Sequence, residues 1–268
     1  MAKFVDSHTH CEFSPDSRMK MADAVEKVKI EGLGGIIFTD HMDIDTPTQD
    51  RTFMFDPEEQ QAAIDNLENR EGIEVLKGIE IGMQPQVLDQ LDRYIGKSSF
   101  DQVIASVHFV DGGDPYHQPY YDGKNFTKAY GRYLDIIYQC ITSYRDFDIL
   151  GHYDYIARYA PYTERSIYYR DFPIQLDRIL KFLASEGKAL EINTNTYREK
   201  CGGVPQLDTD VLRRFRELGG EYVSLGSDAH DLNRIGEQFA LYSLVIKSCG
   251  FDTITHFKGR KANRVKIG

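Results

Sequence analysis

The sequence predicts an α/β fold of alternating strands and helices, arranged as an incomplete or distorted barrel of parallel strands in a single domain. Three observations predict it. Short, apolar, often β-branched runs recur between longer segments of helical spacing. No linker, repeat or shift in composition divides residues 1–268. With 41% hydrophobic and 12% aromatic residues the chain can bury a large core, which excludes a disordered protein.

In order, the first strand is Lys3–Ser7, followed by a helix over Met21–Glu31 in which Met21, Ala24, Val25, Val28 and Leu33 recur at helical intervals. The second strand, Gly34–Thr39, leads to a helix over Pro57–Asn69, and the third, Glu74–Ile79, to a helix over Pro85–Tyr94. Strands at Gln102–Val107 and Phe147–Leu150 flank the long helix Asn125–Tyr144. The strands Ala189–Ile192 and Glu221–Leu225 are accompanied by helices over Phe172–Ser185, Thr209–Leu218 and Glu237–Ser248. Periodicity alone leaves an open, doubly wound sheet as the alternative. After Phe251 no clear eighth strand and helix follow, which favours the incomplete barrel.

Composition bounds the partners. Thirty-two Lys and Arg against 42 Asp and Glu give a net charge of −10, which opposes attraction to nucleic acid or anionic membrane. The longest apolar runs are far short of the ~20 residues that span a bilayer. The start, MAKFVDSHTH, lacks a basic stretch followed by an apolar one, and Cys11, Cys140, Cys201 and Cys249 form no CxxC pair. A cytoplasmic protein with reduced thiols is expected. No GxGxxG follows the first strand and no GxxxxGK[ST] occurs.

The informative feature is where metal-type residues fall. Strand one runs into His8 and His10, strand two into Asp40-His41, strand three into Glu80, strand four into His108, strand five into His152, and the last into Asp228 and His230. In a parallel barrel all those ends open on one face, where α/β active sites are built. Only His117 and His256, of 8 histidines, fall outside the pattern. A lone histidine after a strand is ordinarily a loop or core residue; the joint placement makes the argument. In an extended segment the pairs His8/His10 and Asp228/His230 each point one way, toward one centre. Imidazoles mixed with carboxylates suit Zn, Fe or Mn, and so many donors exceed the shell of one ion. Two to three divalent ions sharing a carboxylate are expected.

The strings HTHCEFSPDS, FTDHMD, GIEIGMQP, SVHFVDGG, GHYDYIARY, EINTNTYR and LGSDAH, in this order, resemble the histidinol-phosphate phosphatase branch of the PHP (polymerase and histidinol phosphatase) superfamily. The resemblance implies a distorted (β/α)7 TIM-like barrel and a trinuclear centre. Carried over by residue, it implies one metal on His8, His10, Glu80 and Asp228, a second on Asp16, His41 and His230, and a third on Glu80, His108 and His152. Many members carry histidine where this chain has Asp16, whose Ser14-Pro15-Asp16-Ser17 setting also suits an ordinary turn.

The resemblance implies hydrolysis of L-histidinol phosphate by attack of a metal-bridging hydroxide. Glu80, Asp228, His230, Arg158 and Arg198 are the expected catalytic residues, and Arg158, Arg198, His41 and His117 the expected substrate contacts. Arg158 and Arg198 follow strand ends and offer forked donors for phosphate oxygens. The loops Tyr116–Tyr121 and Tyr153–Tyr169 are candidates for an aromatic wall, and Glu12, Asp43 or Asp154 for partners of a substrate amine. Cys11 reads as a small buried thiol and Lys258–Lys266 as a solvated, basic terminus. The rival readings are a phosphoesterase acting on nucleotides or phosphotyrosine, a metal-dependent amidohydrolase, and a non-catalytic metal-binding module.

Overall fold

A computed structural model describes residues 3–47, 53–68 and 70–268; Met1, Ala2 and Asn69, the expected end of the second helix, lie outside the described residues. The strands β1 (Val5–Thr9), β2 (Gly35–Phe38), β3 (His41–Asp43), β4 (Glu74–Gly82), β5 (Gln102–Ser106), β6 (Ile149–Leu150), β7 (Ala189–Asn193) and β8 (Val223–Gly226) form one parallel sheet in the order β1-β2-β4-β5-β6-β7-β8, with β3 beside the far half of β4. The sheet curls into a nearly closed barrel. Its seam joins through a Thr9–Ala229 bridge and the hydrogen bonds Asp228 N to His8 O (2.8 Å) and His10 N to Ala229 O (2.9 Å). Seven staves are present, as the spacing of apolar runs implies, and the sheet is not left open.

Between the strands run α1 (Met21–Ile30), α2 (Pro57–Asp65), α3 (Leu88–Ile95), α4 (Phe126–Ser143), α5 (Pro173–Ser185), α6 (Thr209–Glu217) and α7 (Phe239–Ser248). Three start on side-chain caps: Asp56, Asn125 and Asp208 accept from Glu58 N, Lys128 N and Asp210 N. Each lays an apolar stripe on the sheet; in α6 only Val211, Leu212 and Phe215 are buried. The strands are buried on both faces, hence their near-continuous apolar runs.

Three expectations need correction. The second strand does not run through Thr39 but breaks there and resumes as β3, because the Asp40 carboxylate is taken up by Cys11 N, Ser14 Oγ and Gln60 Nε2 at 2.7–2.8 Å. The third is longer than expected, so Glu80 lies within β4 and not beyond its end. The basic stretch Lys258–Lys266 is no tail: β9 (Thr253–Lys258) and β10 (Lys261–Lys266) form an antiparallel hairpin with β10 exposed and lysine-rich, as an unpaired edge requires.

The hairpin plugs the bottom of the barrel. Phe257 packs with Ile104, Ile149 and Ala189, and its N–H donates to Gln102 Oε1 (3.0 Å), whose Nε2 donates to Ser7 O (2.6 Å). Phe257→Ala is expected to lower the unfolding free energy by about 3–5 kcal/mol, the cost of emptying a buried phenyl site, measured by urea denaturation. Among the described residues no helix is long and apolar enough to cross a membrane.

Candidate metal centre

At the top of the barrel the strand ends deliver a compact group of donors around Glu80, which is fully buried. Glu80 Oε1 lies 2.9 Å from His152 Nε2 and 3.2 Å from His108 Nε2 and accepts from Ser106 Oγ (2.6 Å). Oε2 faces His41 Nδ1 at 3.0 Å, His8 Nε2 at 3.3 Å and His10 Nε2 at 3.4 Å. The strand register puts His41 directly beside Glu80. Asp228 Oδ1 lies 3.4 Å from His10 Nε2, and Asp16 Oδ2 lies 3.3 Å from His230 Nε2 and 3.6 Å from His41 Nε2. All nine sequence-predicted ligand candidates therefore converge. Donor atoms within 4.8 Å of one another fall into the groups His10/His41/His230, His8/His10/Asp228, His8/Glu80/His152 and His41/Asp43/His108.

Asp228 and His230 meet by a different route from the one the spacing suggests. Asp228 has φ 51°, left-handed and not extended, so the alternation rule does not apply there. A turn brings His230 Nδ1 to 3.1 Å from Asp228 O instead.

The donors fit divalent cations. The outer nitrogens are engaged: His8 Nδ1 with Glu191 (2.6 Å), His108 Nδ1 with Asp43 (2.8 Å), and His10 Nδ1 with Ser14 Oγ (3.0 Å), whose own hydroxyl donates to Asp40 (2.7 Å). Those bonds turn the Nε2 atoms of His8 and His10 inward, 3.1 Å apart. With their protons displaced, two ring nitrogens so close would ligate one cation together. Glu80 Oε2, ringed by three imidazole nitrogens, has no aligned hydrogen-bond partner among the described residues, and neither have His41 Nδ1 and His152 Nδ1. Buried groups rarely stay unpaired unless something else binds them.

Charge agrees with geometry. Burial would protonate Glu80, but His8, His108 and His41 outweigh it and pull its pKa well below the carboxylate range. Burial opposes ionisation of Asp228 too, and Arg158 and His8 overcome it. Burial, then His41 and His230, push His10 down, and burial pushes His152 down. Against burial, Glu191 holds His8 up, Asp16 holds His41 up and Asp43 holds His108 up, so a cation entering the centre would displace protons from those three rings.

Sequence reasoning missed the residues behind the ligands. Glu191, 1% exposed on β7, accepts from His8 Nδ1 (2.6 Å), His152 N (2.7 Å) and Asn193 Nδ2 (3.2 Å). Gly226 makes room for it, since a Cβ there would sit 2.5 Å from both Glu191 Oε1 and His8 Cβ. An acid inside the apolar strand ALEIN was the available signal. Glu191→Gln is expected to weaken divalent-metal affinity about 10- to 100-fold, as loss of a carboxylate behind a ligating histidine does. Competition with a chelator measures it.

Beside the donors opens a cavity of about 660 Å³. One end carries Arg158, Arg198 and Lys200; the rest is lined by Phe53, Phe109, Asp114, Tyr116, Tyr155 and Tyr159 among others. Arg158 is 2% exposed, donates to Asp228 Oδ2 (2.8 Å) and Thr196 Oγ1 (3.0 Å), and has no partner for Nη2 among the described residues. Arg198 Nε lies 2.6 Å from Glu237 Oε2, out of line for a hydrogen bond, and its Nη2 has no partner among the described residues. His117 sits at the rim, half exposed, 3.7 Å from Asp114.

Other expected contacts do not reach the cavity. Glu12 lines a separate depression of about 680 Å³ with Phe13, Met54 and Tyr94, which contains no imidazole. Asp154 is buried and accepts from Tyr197 Oη (2.9 Å), because the chain turns into a short 3₁₀ helix, Tyr155–Arg158, immediately after it. Tyr120 and Tyr121 belong to the core, so the aromatic wall is Tyr116, Tyr155 and Tyr159. The Cys11 thiol donates to Asp40 (3.0 Å) behind the centre.

Residues 6–195 match the family model described as PHP domain. The histidinol-phosphatase of Lactococcus lactis is 32% identical over 98% of each chain, and the probable histidinol-phosphatase of Clostridium acetobutylicum is 31% identical over 93% of this chain and 95% of its own. The crystal structure of histidinol phosphate phosphatase from Lactococcus lactis with zinc, L-histidinol and phosphate superimposes with a TM-score of 0.90 at 32% identity, over 97% of this chain and 99% of that one. With the barrel, the converging donors and these full-length likenesses together, the chain belongs to the PHP-domain family, in its histidinol-phosphatase branch.

Proposed function

We propose that the protein is a metal-dependent phosphomonoesterase that hydrolyses L-histidinol phosphate to L-histidinol and inorganic phosphate, a step of histidine biosynthesis, in the cytoplasm. The observation that carries this reading is the meeting of an imidazole and carboxylate cluster with a buried arginine, Arg158, whose Nη2 has no partner among the described residues. The relative whose crystal structure contains zinc, L-histidinol and phosphate supports it.

We assign two to three ions, zinc, iron or manganese, to the centre. His8, His10, Glu80 and Asp228 would hold one, Asp16, His41 and His230 a second, and Glu80, His108 and His152 a third, with residues 1–268 acting as one domain. Divalent ions bound there supply a water nucleophile active at neutral pH and neutralise charge that develops on the phosphoryl oxygens. The remaining work falls to the chain's own side chains. Arg158 and Arg198 grip the phosphoryl oxygens, and the bond from Arg158 to Asp228 fixes that grip relative to the centre. Phe53, Phe109, Tyr116 and Tyr155 offer flat apolar surface for an imidazole, Asp43 and Asp114 offer negative charge for an amine, and His117 closes the rim.

The test is phosphate release from L-histidinol phosphate beside sugar phosphates, nucleotides, phosphotyrosine and dihydropyrimidine amides, with metals quantified on the same sample. Selective turnover of L-histidinol phosphate by metal-loaded protein is the expected result. Broad phosphatase activity would remove the substrate assignment, and amide cleavage alone would remove the phosphoesterase reading.

A further inference from the structure

Among the charged groups of the cavity that have no part in the reading above, Lys200 stands beside the two arginines. Lys200 follows Arg198 by two residues, on a turn closed by Lys200 N to Gly203 O (3.0 Å) and Gly203 N to Lys200 O (3.1 Å). The turn is anchored from below. The guanidinium of Arg165, 9% exposed, donates to the carbonyls of Lys200 (2.7 Å) and Cys201 (3.0 Å). Cys201, at φ 50°, takes the left-handed conformation that the reversal requires. The backbone of Lys200 is thus fixed although it lies in a loop, and its side chain lines the cavity with Arg158 and Arg198.

The Lys200 ammonium lies 5.3 Å from the centre of the Tyr159 ring, and among the described residues no carboxylate pairs with it. Burial, and Arg158 next, push its pKa down to about 7, which marks a cation with too little counter-charge around it. Four cations line the cavity, Arg158, Arg198, Lys200 and Arg234, the last paired with Glu237 at 2.8 Å. Arg158 shares Asp228 with the candidate metal centre, and Arg198 meets Glu237 out of alignment, so neither leaves an anion for Lys200.

Resting on the phosphomonoesterase reading, we propose that Lys200 is a further substrate-binding residue, whose ammonium holds a phosphoryl oxygen of the bound monoester as a third cation beside Arg158 and Arg198. The division of labour follows from the two head groups. A guanidinium needs a planar, two-oxygen approach, whereas an ammonium is a compact charge whose three donors meet an oxygen from a range of directions. Lys200 therefore suits the third oxygen of a phosphoryl group whose other two are forked by arginine, and Tyr159 steadies the cation while it waits.

The experiment uses the full-length, metal-loaded protein, with steady-state kinetics on L-histidinol phosphate and calorimetric titration with inorganic phosphate. Lys200→Met keeps the apolar stem against Tyr159 and removes the charge; Lys200→Arg keeps the charge. Lys200→Met is expected to raise KM and weaken phosphate binding by about 10- to 100-fold each, the loss of a charge-assisted hydrogen bond. Its kcat and bound metal should stay close to wild type, and Lys200→Arg, which restores the charge but not the compact head group, should recover part of the loss. KM and phosphate affinity within about twofold of wild type in Lys200→Met would overturn the proposal and leave the phosphatase reading standing. Loss of metal in Lys200→Met, without rescue by Lys200→Arg, would overturn it by making the residue structural. A wild-type protein that neither turns over the ester nor binds phosphate would end both readings together.

Discussion

Glu80→Gln is expected to cut turnover of L-histidinol phosphate by about 10³-fold or more and to empty most of the centre, since several kcal/mol of charge stabilisation is removed at once. The two oxygens of Glu80 lie within 3.4 Å of nitrogens from His8, His10, His41, His108 and His152, so a single carboxylate would be shared by the first and third candidate ion positions and borders the second through His41. Glutamine keeps the shape, supplies one oxygen in place of two and turns an N–H₂ group toward nitrogen lone pairs. Elemental analysis of metal per chain, phosphate release and a circular-dichroism spectrum on one preparation decide the matter. A folded variant with full metal and normal turnover would show that Glu80 is not the shared ligand.

Arg198→Ala is expected to act on a different quantity. Removing a forked cation from the phosphoryl end should raise KM about 100-fold while the metal content stays that of wild type, because a charge-assisted pair is lost from substrate and none from the donors. The guanidinium's contact among the described residues is the misaligned one to Glu237, so the protein loses little by its removal. Its loss therefore separates binding from metal retention in a way that Glu80→Gln cannot. Unchanged steady-state kinetics would remove Arg198 from the clamp.

The ligand candidates were legible because a parallel barrel collects its strand ends on one face, so His8, His41, His108, His152 and Asp228 announce a site by their position after apolar runs. What stands behind them was not. Glu191 and Ser14 gain their meaning from contacts with His8 and His10 that depend on which way each ring turns, and linear spacing does not encode ring orientation. The same limit explains Asp154, two residues from His152 yet facing Tyr197: alternation predicts a shared direction only in extended backbone, and the chain there has begun a 3₁₀ turn. Glu12 lies two residues beyond His10, where the chain turns back through Ser14 N to Cys11 O, and its carboxylate accepts from Met21 N instead. The terminal hairpin escaped notice because β10 buries almost nothing and carries no apolar alternation, while the buried stretch of β9 mixes Ile254 and Phe257 with the polar Thr255 and His256.

The barrel closes where its candidate ligands are furthest apart in the chain. His8 and His10 stand on one side of the seam, Asp228 and His230 on the other, joined by the backbone bonds around Thr9 and Ala229. A chain still on the ribosome therefore has no complete donor set until its last stave has emerged, however early the first histidines were made. On the proposed ligand assignment, ions taken up at that point would fasten the first strand to the eighth and so couple uptake to ring closure. Prematurely terminated chains keep five of the six clustered imidazoles but have neither the closing strand nor Asp228 to hold the cluster together.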